Sequence, residues 1–327
     1  LYAVFGGLKA VAVSDTLNGI GLLLIGLAVP VLGLSVLGNG SVGEGLHIVA
    51  NTHTEKLNAI GGPSDPTPFG TLFTGMIFAN LFYWCTNQYV IQRTLAAKNL
   101  AEGQKGVLFS GFFKVLVPFM MMIPGVIAYH LYGPVGSEGG LPSIDLAYPQ
   151  LIRDVLPTYA MGFFLAVLLG AVFSSFNSLL NSAATLFCLD IYLPLKERQG
   201  APAVADKQLV KVAKRASVVI ALFSFVVAPM LQFAPEGLWQ IIRIFTGFYN
   251  IPVITIVIVG LFTHRVPALA AKLVIVFHVI AYGLLKFVFD DWVTIHFLHL
   301  YGILFVIEVA MMLVIGRLYP RPEAWTF

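Results

Sequence analysis

Long apolar runs separated by short polar connections occupy most of the chain. This pattern predicts eight helical spans near residues 8–37, 70–96, 105–132, 156–189, 208–232, 237–263, 266–288 and 295–318. Each run is long enough to cross a hydrocarbon core of about 30 Å at a helical rise of about 1.5 Å per residue. The second would reach roughly 40 Å by the same rise, so it must tilt, extend beyond the bilayer or break. The runs lack the ten-residue alternation of a membrane β-barrel. The pattern predicts an all-α, polytopic membrane protein.

The positions of the basic residues test that map and orient it. With the first span starting inside, fourteen of the nineteen Lys and Arg residues fall on one side: Lys9, Arg93, Lys98, Lys105, Lys196, Arg198, Lys207, Lys211, Lys214, Arg215, Arg265, Lys272, Arg317 and Arg321. Only Lys56, Arg153 and Lys286 fall on the other side, and Lys114 and Arg243 lie within spans. Such a bias marks the rich side as cytoplasmic. The connections 38–69 and 133–155, rich in Gly, Pro, Ser and Asp, read as outer loops.

Composition agrees, with 58% hydrophobic and 11% charged residues and a mean hydropathy of +0.87. Soluble domains carry about 25% charged residues. The net charge of +3 is spread over loops, and no basic stripe with interleaved aromatics suggests nucleic acid. Cys85 and Cys188 both lie in apolar runs and read as small buried hydrophobes, with no disulfide or metal spacing. The seven histidines show no ligand spacing and sit mostly near span ends, so they are assigned no role. No HExxH, paired aspartates or Ser/His dyad within a span suggests an enzyme. The chain opens at Leu1 inside an apolar stretch and is expected to belong to a longer protein.

Polar groups inside the spans carry the candidate chemistry, because an unmade hydrogen bond in hydrocarbon is not replaced by water. Asn80, Tyr83 and Asn87 share one face if the second span is a continuous helix. An amide, a phenol and a ring face suit a neutral polyhydroxy ligand, while interhelical hydrogen bonding is the plainer reading. Ser174, Ser178, Asn181 and Thr185 form a polar stripe, with Gly170, Ala171, Ser175 and Ser182 keeping the surface small. Hydroxyls and freed carbonyls suit a desolvated alkali cation, and close helix packing is the alternative. Asp15 is an intramembrane carboxylate, or one that water reaches from the cytoplasmic end. Lys114 and Arg243 are in-span cations able to snorkel, Arg243 toward the outside. Glu308 stands in a helix without a polar stripe and calls for a structural partner.

NLFYWCTNQYVIQRTLAAK (80–98) followed by SSFNSLLNSAATLFCLDIY (174–192) resembles the sodium/solute symporter family, in its sodium/glucose cotransporter branch. YAVFGGLKAVAVSD (2–15) and IFTGFYNIPVITIVIVGLF (244–262) support the likeness. The resemblance implies a LeuT-like bundle of two inverted five-helix repeats with sites near the midplane. It implies that 1–37 is the last helix of the first repeat and 38–69 an outer loop. Residues 70–263 would then be the second repeat and 264–327 two peripheral helices with a cytoplasmic end. Core helices one to four would lie outside this chain.

By the same resemblance, Ala171, Ser174 and Ser175 are sodium-coordinating positions on the eighth core helix, with Asp15 near the ion. Asn80 would bind a sugar hydroxyl, Tyr83 would stack under the sugar as inner gate, and Lys114 would also contact it. Arg243 departs from the pattern, standing where sugar-binding members carry glutamine. A guanidinium cannot accept a hydrogen bond and prefers an anionic partner. The sixth core helix of the family is discontinuous, yet residues 76–97 contain no Gly or Pro. Gly247 and Pro252, by contrast, supply a physical reason for a distortion in the tenth.

The function implied is sodium-coupled symport of a small polar solute, a sugar or sugar derivative, by alternating access in a plasma or bacterial inner membrane. The alternatives are symport of a small organic anion or sugar acid, and a membrane solute sensor that does not transport. The expected partners are sodium, the solute and the bilayer, with sodium as coupling ion and no cofactor.

Overall fold

The structure is a computed structural model that describes residues 2–63, 65–200, 204–233, 238–290 and 292–324, the side chains of 2–11, 232 and 233 excepted. Among the described residues every regular element is helical. In chain order these are α1 (Tyr2–Leu37), α2 (Val42–Asn51), α3 (Gly75–Leu81), α4 (Gln88–Leu95), α5 (Leu100–Lys114), α6 (Val117–Tyr132), α7 (Ala147–Val155) and α8 (Thr158–Leu186). There follow α9 (Leu193–Arg198), α10 (Asp206–Val227), α11 (Leu238–Phe262), α12 (Ala268–Gly283) and α13 (Phe297–Leu318).

Among the described residues, six helical stretches are long and apolar enough to cross a membrane: Ala12–Leu37, Leu100–Tyr132, Thr158–Arg198, Leu238–Phe262, Ala268–Val288 and Phe297–Leu318. Two of the eight expected spans differ. α10 places five charged residues, Asp206, Lys207, Lys211, Lys214 and Arg215, in its first ten positions, which shortens its apolar part. The run 70–96 is broken, as described below. Large apolar side chains such as Leu222, Phe223 and Val226 are exposed, a surface suited to lipid rather than water.

The chain divides into two compact units, Leu1–Leu57 with Gln92–Gly237, and Asn58–Ile91 with Leu238–Phe327. In the first, α1 packs against α2, α6 and α8, and α10 packs on α8. Its core holds Ile25, Val29, Leu34, Ile127, Leu151 and Val167. In the second, α3, α11, α12 and α13 enclose Ile244, Ile251, Tyr282, Leu298, Tyr301 and Leu304.

The break after α3 has a local cause that needs neither Gly nor Pro. Phe82–Thr86 form a π turn closed by Asn87 N–H on Phe82 O at 3.0 Å, and Thr86 Oγ1 donates to the same carbonyl at 2.9 Å. Asn87 is extended (φ −70°, ψ 112°), and its side-chain oxygen accepts from Tyr89 N–H at 3.3 Å. Asn87 thus caps α4. The expected shared face of Asn80, Tyr83 and Asn87 is lost, because Asn87 does not continue the helix. Cys85, expected to be buried, is exposed on this turn, where Phe82 takes the buried position; Cys188 is buried as expected.

A second interruption separates α5 from α6. Pro118 lacks the N–H that would bond Lys114 O, and its ring crowds that carbonyl. Val115 and Leu116 instead donate to Phe112 and Phe113 carbonyls at 3.2 and 3.0 Å. α11, where distortion was expected, runs helical through Gly247 and Pro252. Gly247 serves close packing: a Cβ there would lie 2.3 Å from Tyr301 Oη.

Candidate functional site

In the first unit, the polar stripe of α8 meets α1 and the end of α4. Asp15 on α1 receives the Arg93 Nε–H at 2.6 Å on Oδ2, the same oxygen is ion-paired with Arg93 Nη2, and Ser174 Oγ donates to Oδ1. Arg93 Nη2 also donates to Ser178 Oγ at 2.5 Å, while Ser178 donates to Ser174 O at 2.9 Å. Gln92 extends the network, donating to Ser178 O at 3.3 Å and accepting from Asn181 at 2.8 Å. Thr185 closes the stripe on Asn181 O. A Cβ at Gly170 would lie 2.3 Å from Asn18 Oδ1, so glycine there permits the close approach of α8 to α1.

This geometry suits a cation ligand. Ser174 gives its hydrogen to a carboxylate and keeps its lone pairs, and the charge on Asp15 makes that oxygen a better donor to a metal. Ser174 is buried, Ala171 half-buried and Ser175 exposed, all within little more than one turn of α8. The structure therefore brings Asp15 to Ser174 directly. Arg93, counted from the sequence among the basic residues of the cytoplasmic side, proves to be the partner of Asp15. The available signal was a carboxylate and a guanidinium both within apolar runs, each needing an opposite charge.

In the second unit, Asn80 is exposed and its amide N–H donates to Met76 O at 2.9 Å. Tyr83 is half-buried; its hydroxyl pairs with Tyr89, and its ring meets Trp84 and Tyr89 edge-on at 4.9 and 5.9 Å. Arg243 reaches residues 66 and 67, in the connection that the sequence reads as an outer loop. It donates to Thr67 Oγ1 at 3.0 Å, Gln240 Oε1 at 3.2 Å and Pro66 O at 3.3 Å, and stands 5.7 Å from the Phe297 ring. Lys114 belongs to the first unit, at the end of α5, and is exposed there.

Glu308 finds the structural partner expected for it. It pairs with His278 Nδ1 and accepts from Thr255 at 3.0 Å, and both charged groups are wholly buried. His278 Nε2 lies 3.0 Å from Gly247 O. The view that the histidines have no role is corrected here, since His278 sits inside α12. A buried carboxylate requires a donor, and that was the missed signal.

The all-helical fold is that of a sodium-coupled symporter. It superposes on a solved substrate-bound, outward-open sodium-coupled sialic acid symporter with a TM-score of 0.79, over 99% of this chain and 65% of that one, at 21% identity. Residues 1–274 match the sodium:solute symporter family, and the chain belongs to that family. It is 48% identical to the uncharacterized symporter YidK of Escherichia coli K12, over 100% of this chain and 55% of that protein. It is 34% identical to the sodium/glucose cotransporter of Vibrio parahaemolyticus, over 81% of this chain and 51% of that protein. It is 33% identical to the human sodium/myo-inositol cotransporter 2, over 81% and 42%. The chain thus spans about half the length of these curated relatives. It is part of a multi-pass membrane protein with a LeuT-like fold.

Proposed function

We propose that the protein carrying this chain couples sodium entry to uptake of a small polar solute, sugar-like in chemistry, by alternating access. The observation that carries the reading is the hydrogen bond from Ser174 to Asp15, which sets a carboxylate behind the hydroxyl turn of α8. Ala171 O, Ser174 Oγ and Ser175 Oγ offer hard oxygens suited to sodium. Asp15 acts behind them and is itself fixed by Arg93. Family membership and relatives named for glucose and myo-inositol support a polyhydroxy solute. Asn80 and Tyr83 then supply an amide and an aromatic face for it, with Arg243 as a further donor. Sodium favours the state in which the solute site is ordered, through unequal affinity for two conformations.

Uptake by the full-length protein in proteoliposomes tests this. Ser175→Ala is expected to raise the sodium concentration for half-maximal uptake about tenfold, roughly the worth of one ligand to a charged group. Solute affinity at saturating sodium should change much less. An unaltered sodium activation curve would remove the sodium assignment.

A further inference from the structure

One buried side chain in the second unit lacks what burial demands. Asn250 on α11 is only 7% exposed, and its Oδ1 has no hydrogen-bond partner among the described residues. Polar atoms left so cost about 1–3 kcal/mol, and native structures rarely leave them without a reason.

The position of Asn250 gives the reason. Asn250 follows Arg243 by seven residues, so the two lie on one face of α11, two turns apart. At the outer level of that face, Arg243 touches Met76 of α3 through its Nη2. Two turns along, the ring of Tyr249 meets that of Phe82 at 5.6 Å. Contacts at both levels run in the same order along both segments, so α11 lies beside α3 and the π turn in parallel. Asn250 therefore stands at the depth of Phe82 and Tyr83, beside the segment that carries Asn80.

We propose that Asn250 is a further solute-binding residue, whose amide oxygen accepts a hydroxyl hydrogen of the transported solute. The inference rests on the symport reading above and assigns part of its specificity. Its neighbours Ile251 and Ile254 along α11 are buried and apolar, and the hydroxyl of Thr246, one turn back, donates its hydrogen to Arg243 O at 3.1 Å. A bound water needs two to four polar partners, which they do not offer. A hydroxylated solute brings the donor with it. Asn250 then rejects analogues in which that hydroxyl is missing, because its oxygen is again left bare.

The test uses the full-length protein in proteoliposomes, with labelled D-glucose and myo-inositol as probes, with and without sodium. Asn250→Leu keeps the volume and removes the acceptor. It is expected to raise the solute KM about tenfold, the loss of one buried hydrogen bond. Its thermal stability should not fall, since a bare buried acceptor is removed, and its half-maximal sodium concentration should stay at the wild-type value. Sodium-dependent uptake with an unchanged KM overturns the assignment and leaves the symport reading standing. Uptake of both probes without sodium dependence removes both. If Asn250→Leu does not fold, Asn250→Ser and Asn250→Ala decide. Serine keeps an oxygen and should hold KM within about threefold, whereas equal KM values for the two variants overturn the proposal.

Discussion

The two units each bury a carboxylate with a basic partner, and they do so in different ways. Asp15 and Arg93 remain 20% and 33% exposed, and share their hydrogen bonds with the hydroxyls of Ser174 and Ser178. Glu308 and His278 have no exposure at all. A carbonyl only accepts, so His278 Nε2 carries the hydrogen facing Gly247 O. The Nδ1–Glu308 link then holds either imidazolium with carboxylate or neutral imidazole with carboxylic acid, and both forms have zero net charge. Tyr301 and Tyr282 add hydrogen bonds to the carbonyls of Arg243 and Ile244 at 2.6 and 3.0 Å. The closed pair therefore grips the backbone of α11 and serves as a fastening. The open pair stays partly exposed beside the hydroxyls of α8, as the proposed sodium site requires.

Breaking the closed pair should have the largest effect. Glu308→Ala or His278→Ala leaves a buried polar group alone and should cost about 3–5 kcal/mol, read as a large loss of thermal stability in detergent. The double variant His278→Leu/Glu308→Leu should recover most of that loss, since two apolar side chains replace a matched pair at little cost. Single variants as stable as the wild type would remove the fastening role. Gly247→Ala comes next, at about 1–3 kcal/mol, because the new methyl displaces Tyr301. The same melting curves report it, and an unchanged melting temperature would show that α13 yields without cost.

At the open pair the order of effects should invert. Asp15→Asn is expected to cost about 1 kcal/mol or less in stability, since both partners keep contact with solvent. Sodium-dependent uptake by the full-length protein should nevertheless fall at least about tenfold. A melting-temperature drop as large as that of Glu308→Ala would erase the distinction between the two pairs.

The sequence makes the helical class, most spans and the α8 stripe legible, because each rests on local periodicity and hydropathy. Ser174, Ser178, Asn181 and Thr185 act on one face as their spacing requires. The Asp15–Arg93 and His278–Glu308 pairs join residues 78 and 30 positions apart, and no local pattern records such a match. The requirement itself was visible: every in-span charge needs a partner, and Glu308 was read on that ground. The buried Asn250 oxygen was invisible for the opposite reason, since a missing partner shows only once all neighbours are placed.

The break after α3 lies between these cases, and it yields the smallest and sharpest prediction. Thr86 and Asn87 are both residues whose side chains compete with a continuing helix, by bonding back to Phe82 O and by capping α4. That signal is local and was present in the sequence. Asn87 also sets where α4 begins, and so the register in which Arg93 reaches Asp15. Asn87→Ala should cost about 1 kcal/mol, and Asn87→Gly only a few tenths, since glycine tolerates the cap position without a side-chain bond. If α4 instead joins α3 as one helix in Asn87→Ala, Arg93 turns by the five-residue π closure and leaves Asp15. Sodium activation then suffers as it does in Asp15→Asn, at nearly undiminished stability. Sodium activation measured in Asn87→Ala, with Asp15 and Arg93 intact, reads the outcome. A normal activation curve would show that Arg93 keeps its place on Asp15 and Ser178 without the Asn87 cap.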